Sequence, residues 1–437
     1  MKVARSDDIP PPAAMRKVAN HWLREVLRST YQKRTVTRAD IIALTGLNPA
    51  SVSHSIRYLL DRGIMVKVGD LESQGGRPRE ALSLNGEAGY FVAVDLEGQT
   101  MRFALTNLSG DIRYRWEEDL EFGRPLPVAK IVGSIDWGLG NLSEAQARRV
   151  LAVCVSYPGL LDSNGNITAV NIGWNAFPLQ KALEEALDFP VFIEHDKLSS
   201  VLAEHWLGCA TEQDNSVFLI VERGIGVGVF VDGKPLLGAR DRTGEIGHAK
   251  VDPHSKIICS CGQMGCLETV ASSPSIIRQY LEATGTSAGE AGIIRAADVF
   301  KRARNGDAAA MAVVERAARS IGFVLSHVVS LLNPDLIVLG GDLISGEDLF
   351  VPIIWDELKI RTLPLLLKDL QIKSSSLGLD IRLKGAASLA FRNAISNPKL
   401  LAKMCRPALD GWQSSAETSA RRRDEDAGST VAPPDLV

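Results

Sequence analysis

The chain has 437 residues, 45% of them hydrophobic and 23% charged, with a formal net charge of −3 and six cysteines. This is the composition of an ordinary soluble protein, and the length is too great for one small core, so two or three domains are expected. No apolar run reaches the roughly 18 residues of a membrane span and no apolar signal segment opens the chain, so a cytoplasmic protein without a membrane partner is expected.

Residues 1–15, with Pro10-Pro11-Pro12, read as disordered. The charge is unevenly placed: residues 1–80 carry 14 Lys/Arg against 8 Asp/Glu, and residues 81–437 carry 35 against 44. A basic piece on an acidic body points to a polyanion partner for the N-terminal part alone. Within residues 16–85, Trp22, Val26 and Leu27 form the apolar stripe of a first helix. Thr37 caps a second helix through Ile41, Ile42 and Leu44, which Gly46 ends. Asn48 caps and Pro49 starts a third, in which Val52, Ile56, Leu59 and Leu60 recur at helical spacing and leave Ser51, Ser53, His54 and Arg57 outward. Strands at 64–68 and 81–84 then flank the strip Ser73-Gln74-Gly75-Gly76-Arg77-Pro78-Arg79.

Three helices followed by a stranded wing read as a winged helix-turn-helix with operator DNA as partner. Small hydroxyls suit phosphate contacts, His54 or Arg57 suits a guanine edge, and the Arg77/Arg79 strip suits a narrow minor groove. The same surfaces also fit a protein-docking face and a basic linker.

From Tyr90 onward, apolar strands at 91–95, 151–155, 191–194, 217–221 and 336–339 alternate with helical stretches and imply an α/β body. Most end in polar residues or glycines, where α/β sheets present ligand sites. Between Gly244 and Glu268, His248, Cys259, Cys261 and Cys266 fall within nineteen positions. Three thiolates and an imidazole complete a tetrahedral structural zinc site with no open position for chemistry, and Gly262 and Gly265 let the loop bend around it. A disulfide or free thiols are the alternatives. Cys154, Cys209 and Cys405 lie far apart in sequence and read as small core residues.

Three segments carry a family resemblance: Glu245-Ile246-Gly247-His248, the run Cys259-Ser260-Cys261-Gly262-Gln263-Met264-Gly265-Cys266-Leu267-Glu268, and the wing ending in Gly75-Gly76-Arg77-Pro78. Over residues 16–400 the chain resembles the ROK family of sugar kinases and sugar-responsive repressors, and most of all its repressor branch. The resemblance implies a body at 88–405 made of two ribonuclease H-like lobes, related to actin and hexokinase, closing over a sugar. Gly385-Ala386-Ala387-Ser388-Leu389-Ala390 resembles the helix that returns to the first lobe. Asp196 matches the carboxylate that in kinase members takes the proton from the attacking hydroxyl, and Glu245, His248 and Glu268 match residues that bind sugar hydroxyls. His195 stands where the family usually has Asn, a departure that bears on which sugar is taken. Asn171, Trp174 and Asn175 match a further substrate-facing turn, with Trp174 equally suited to the core.

Kinase members resemble Asp-x-Gly-Gly-Thr after the first strand, where this chain has Asp95-Leu96-Glu97-Gly98-Gln99. The second loop, Gly-Thr-Gly-x-Gly in outline, is here Glu222-Arg223-Gly224-Ile225-Gly226. Hydroxyls are missing and carboxylates flank both turns. Like charges at close range cost on the order of several kcal/mol in a partly desolvated site, which argues against nucleotide binding, although Arg223 can offer a phosphate a partner. Gly340-Gly341 suits either an adenosine contact or a plain strand-to-helix turn.

The reading is therefore a sugar-controlled DNA-binding regulator, a repressor of carbohydrate-utilisation genes, with structural Zn2+ and a catalytically inactive kinase-like body. Resemblance and operator geometry imply a homodimer or a dimer of dimers. A sugar kinase fused to a DNA-binding module and a protein-docking scaffold are the alternatives. Residues 409–437, rich in Ser, Ala and charge, read as a disordered tail.

Overall fold

The computed structural model describes residues 13–71, 79–97, 100–121, 123–169, 172–239, 243–287 and 294–405. It opens with helix α1 (Ala13–Lys33), which starts three residues ahead of the expected domain boundary. Val26, Leu27 and Tyr31 of α1 are buried, while Trp22 is half-buried. After strand β1 (Thr35–Val36), helix α2 (Arg38–Thr45) starts on a reciprocal cap: Thr37 Oγ1 accepts from the Asp40 N–H, and the Asp40 carboxylate accepts from the Thr37 N–H. Gly46, in the left-handed region, ends it by donating to Ile42 O. Helix α3 (Pro49–Asp61) has Asn48 as its cap and proline in its first turn, as expected.

Strands β2 (Met65–Leu71) and β3 (Arg79–Leu84) form an antiparallel hairpin, with β1 on the outer edge of β3. Both strands of the hairpin are longer than the sequence suggests. The strip between them, Arg77 included, lies outside the described residues.

The body contains two five-stranded sheets. In the first lobe β4 (Tyr90–Glu97), β5 (Thr100–Asn107) and β6 (Ile112–Asp119) run antiparallel, and β7 (Val150–Tyr157) pairs parallel with β4. A small sheet of β8 (Leu160–Leu161), β9 (Ile167–Ala169) and β10 (Trp174–Phe177) follows, and then β11 (Val191–His195) pairs parallel with β7. In the second lobe β12 (Ser216–Val221), β13 (Ile225–Val231) and β14 (Lys234–Pro235) are antiparallel; β15 (Leu336–Gly341) and β16 (Gln371–Ser374) continue parallel from β12. The sheet orders are β11-β7-β4-β5-β6 and β14-β13-β12-β15-β16. Counted within each sheet, both read 3-2-1-4-5 with the same directions, so the two lobes repeat one topology. All eight residues of β7 and all six of β12 are buried, which explains their unbroken apolar runs.

Two helices join the lobes. Helix Asp196–Leu207 follows directly from β11 and packs on β13, and helix Ile381–Ser396 packs on β4 and β7, returning to the first lobe as expected. They cross where a Cβ on Gly385 would lie 1.9 Å from Ser199 O, so only glycine permits this approach.

The N-terminal helices share a core with this body. Tyr31, 1% exposed, stacks on Phe391 with centroids 4.2 Å apart, meets Trp206 edge-on, and has its hydroxyl 3.1 Å from Ser388 Oγ. Burial pushes the Tyr31 phenol up to about 12, so it remains a neutral hydrogen-bonding group. One apolar cluster runs from Val26, Ile41 and Val52 to Phe91, Trp206 and Phe391. No helix among the described residues is long and apolar enough to cross a membrane.

Candidate functional site

The carboxyl ends of the parallel strands in the two lobes meet at one cleft. β11 ends at His195, and the next residue, Asp196, opens a helix, so the chain turn itself places imidazole and carboxylate side by side. His195 Nδ1 lies 3.0 Å from Asp196 Oδ1, and its Nε2 lies 2.8 Å from Gly159 O. Asp196 Oδ1 also accepts the Lys197 N–H at 2.7 Å. Burial works against the Asp196 carboxylate, but the charge and hydrogen bond of His195, with Arg382 and Lys197 beyond, hold it well below the usual carboxylate range. Burial likewise disfavours charged His195, and the Asp196 carboxylate outweighs it, leaving the imidazole above its ordinary value.

Facing this pair, Lys197 Nζ donates to Glu245 Oε1 at 2.6 Å, and Glu245 Oε2 is 3.9 Å from His248 Nε2. Glu268 Oε2 accepts the Ile225 N–H at 3.4 Å, and its Oε1 accepts from Ser260 Oγ at 3.3 Å. His195, Asp196, Glu245 and His248 are thereby linked, and Glu268 joins them through Ser260 and Cys259, in one network of half-buried acceptors and imidazoles to which hydroxyl groups can donate. Asn175 is exposed on β10, and no described contact joins it to this network; Asn171 lies outside the described residues. Trp174 is core: it is 4% exposed, stacks on Phe177 and donates its indole N–H to Leu126 O. Lys197 was missed by sequence reasoning, because its partner Glu245 lies far along the chain.

Behind Glu245 and Glu268 the loop folds on itself. His248 Nδ1 is 3.5 Å from Cys259 Sγ, Cys261 Sγ is 3.6 Å from Cys266 Sγ, and one ligand atom from each residue lies within 4.8 Å of the others. Two thiolates at ~2.3 Å from one tetrahedral ion would stand roughly 3.8 Å apart, close to the spacing seen. Gly262 and Gly265 have φ of 81° and 78°, the left-handed bends that turn the cysteines inward. All six cysteines are free thiols; Cys154 and Cys405 are buried, and Cys209 is half-buried. Burial pushes the Cys266 thiol up to about 11, with the Lys250 ammonium 3.2 Å away. These four residues can hold a metal ion, and they form a closed set around it.

On the opposite side of the cleft, Arg382 touches carboxylates of both lobes. Its Nη1 lies 3.6 Å from Asp95 Oδ2 at the end of β4, and its Nη2 donates to Glu222 Oε2 just after β12. The side chain of Glu97 and all of Gly98 and Gln99 lie outside the described residues. Gly341 takes φ of 70° close against Val221 O and Glu222 Cγ, so the turn alone accounts for it.

On α3, His54 and Arg57 are exposed and Ser53 is half-buried, opposite the buried face of Val52, Ile56 and Leu59. Ser51 is a correction: expected outside, it is 4% exposed, because the buried face is broad enough to include Ser51 and Ser55, one turn apart. Arg79 is exposed at the start of β3.

The sequence profile of the ROK family matches residues 91–393. The chain is 30% identical to a glucokinase from Halalkalibacterium halodurans over 322 residues, which is 71% of this chain and 97% of the relative. It is 27% identical to the DNA-binding transcriptional repressor Mlc of Escherichia coli K12 over 388 residues, 87% of this chain and 94% of the repressor. Among solved structures it is similar to a ROK family transcriptional regulator described as a homologue of the E. coli Mlc protein, with a TM-score of 0.72 and 26% identity, covering 88% of this chain and 99% of that one.

Proposed function

Since the chain belongs to the ROK family, we propose that it is a DNA-binding transcriptional regulator, a repressor of carbohydrate-utilisation genes, whose kinase-like body binds a sugar effector. One observation carries this reading. The regulators match 87–88% of the chain, more than the body alone makes up, whereas the glucokinase matches 71% of the chain and nearly all of that enzyme.

Residues 16–85 act as a winged helix-turn-helix, with α3 in the major groove. Ser53, His54 and Arg57 are its contact residues and Arg77 and Arg79 form the wing; Ser51 is withdrawn because it is buried. Residues 88–405 form the sugar-binding body. Asp196, Glu245 and Glu268 accept sugar hydroxyls, with His195 and His248 beside them. Asn171 and Asn175 remain the proposed outer contacts of the sugar. Structural Zn2+ on His248, Cys259, Cys261 and Cys266 fixes the loop that carries Glu245 and Glu268, coupling metal and sugar binding. An ionised Asp196 is available to accept a sugar hydroxyl.

The effector signal has a short path. Helix Asp196–Leu207 begins at the sugar carboxylate and ends with Trp206 against Tyr31 of α1. Movement at its first turn on sugar binding would tilt α1 and change how two winged modules of a dimer match half-sites about one turn of DNA apart.

The glucokinase similarity favours a second reading, ATP-dependent phosphotransfer to a sugar. One experiment separates the two. The zinc-loaded protein is screened by thermal shift against sugars and sugar phosphates with and without Mg-ATP, and the stabilising sugar is then tested in DNA-binding assays on duplexes selected from a random pool. A sugar that stabilises independently of ATP and changes DNA affinity supports the regulator. Sugar-dependent ATP turnover with DNA affinity unchanged by any bound sugar overturns it.

A further inference from the structure

Arg382 is 3% exposed and is the second residue of helix Ile381–Ser396. The N-terminal turn of a helix carries partial positive charge and disfavours a cation, and a buried guanidinium is costly unless carboxylates surround it. Here they do, and they come from different lobes: Asp95, 1% exposed, from the end of β4, and Glu222 from the turn after β12. Asp196 also feels the same charge, which lowers its proton affinity. These carboxylates stand far apart in the chain and both reach this side chain.

We propose that Arg382 is a positioning residue that latches the two lobes together, supplying from within the chain the positive charge that a metal-bound phosphate would otherwise bring to this side of the cleft. The proposal rests on the reading of the Asp95 and Glu222 turns as counterparts of kinase phosphate loops. Three consequences follow. The cleft is held at its base without nucleotide. Carboxylates that would face an incoming polyanion are neutralised by a group that also fills the space. Because the helix bearing Arg382 carries Ser388 and Phe391 against Tyr31, the latch and the DNA-proximal helix belong to one rigid element.

The test uses the full chain, zinc-loaded, without sugar or nucleotide. Arg382→Ala leaves two carboxylates facing the position of a lost cation, a setting that a divalent ion can fill. Mn2+ binding is followed by electron paramagnetic resonance and by melting temperature. The variant is expected to take up Mn2+ about tenfold more tightly than wild type and to regain part of its lost melting temperature as it does so. Arg382→Ala/Asp95→Asn is expected to lose both effects. Equal Mn2+ uptake by wild type and Arg382→Ala, or rescue that survives Asp95→Asn, overturns the latch; a merely space-filling arginine would give that result. Should Arg382→Ala not fold, Glu222→Gln keeps the arginine and its bond to the first lobe. It is expected to raise the radius of gyration in small-angle scattering, and a profile superimposable on wild type overturns the proposal. Binding of Mg-ATP by wild type would instead count against the phosphate-loop reading, which these metal measurements do not touch.

Discussion

The two sides of the cleft are lined by the same chemical group in two different conditions. On the side proposed for sugar, Asp196, Glu245 and Glu268 are half-buried, and Asp196 and Glu245 pair with His195 and Lys197, which are partly exposed themselves; on the other side, fully buried Asp95 and half-buried Glu222 close on Arg382, which is 3% exposed. The difference lies in the partner: a cluster whose cation is itself buried loses far more when one member is removed than a cluster whose partners reach solvent.

Variants on the two sides should therefore fail in different ways. The largest effect is expected from Arg382→Met, which strands the buried Asp95 carboxylate and leaves Glu222 without its cation. Chemical denaturation should show a loss of about 3–5 kcal/mol. A loss under ~1 kcal/mol would erase the contrast. Next, Asp196→Ala should weaken sugar binding by about 1.5–3 kcal/mol in calorimetry while costing much less stability than Arg382→Met. Equal losses of stability in the two variants would mean that the sides are alike. Tyr31→Phe removes the bond to Ser388 and should cost about 1 kcal/mol of stability. It should also narrow the difference in DNA affinity with and without sugar, and an unchanged difference would remove Tyr31 from the signal path.

The smallest effect sharpens the sugar side alone. His195 has a raised folded pKa, so its contribution is fully present below the ordinary value of 6.5 and is lost as pH rises through the folded value. Asp196 is depressed, so its contribution is present above 3.8 and is lost as pH falls. A melting-temperature profile should show the alkaline loss in wild type and a flatter line in His195→Gln; parallel profiles would dissolve the pair.

What could be read ahead of the structure was local. The four metal-site residues fall within nineteen positions, and the caps of α2 and α3 are set by Thr37, Asp40, Asn48 and Pro49, so chain neighbours carry the information. Of the five principal strands, β4, β7, β12 and β15 were legible because burial on both faces leaves unbroken apolar runs, and β11, buried only at Val191, was legible from its short apolar start. Lys197 and Arg382 escaped because their meaning lies in partners distant in the chain, Glu245 for one, Asp95 and Glu222 for the other. Ser51 went wrong for a related reason: small hydroxyls are as much at home in a tight helix packing as on a surface. Trp174 fell to the core because its indole had a backbone carbonyl to bond.

The docking of Tyr31 bears on how this protein can be rearranged. A DNA-reading head that hangs from a linker can be cut off, exchanged or reattached elsewhere with little loss. Here α1, the first helix of the module proposed to read DNA, lends the body one of its largest interior side chains and takes Trp206, Ser388 and Phe391 as lining in return. Grafting a foreign head would leave a hole lined with aromatic rings, and freeing this one would leave a tyrosine in water, so the two halves are interchangeable only as a pair.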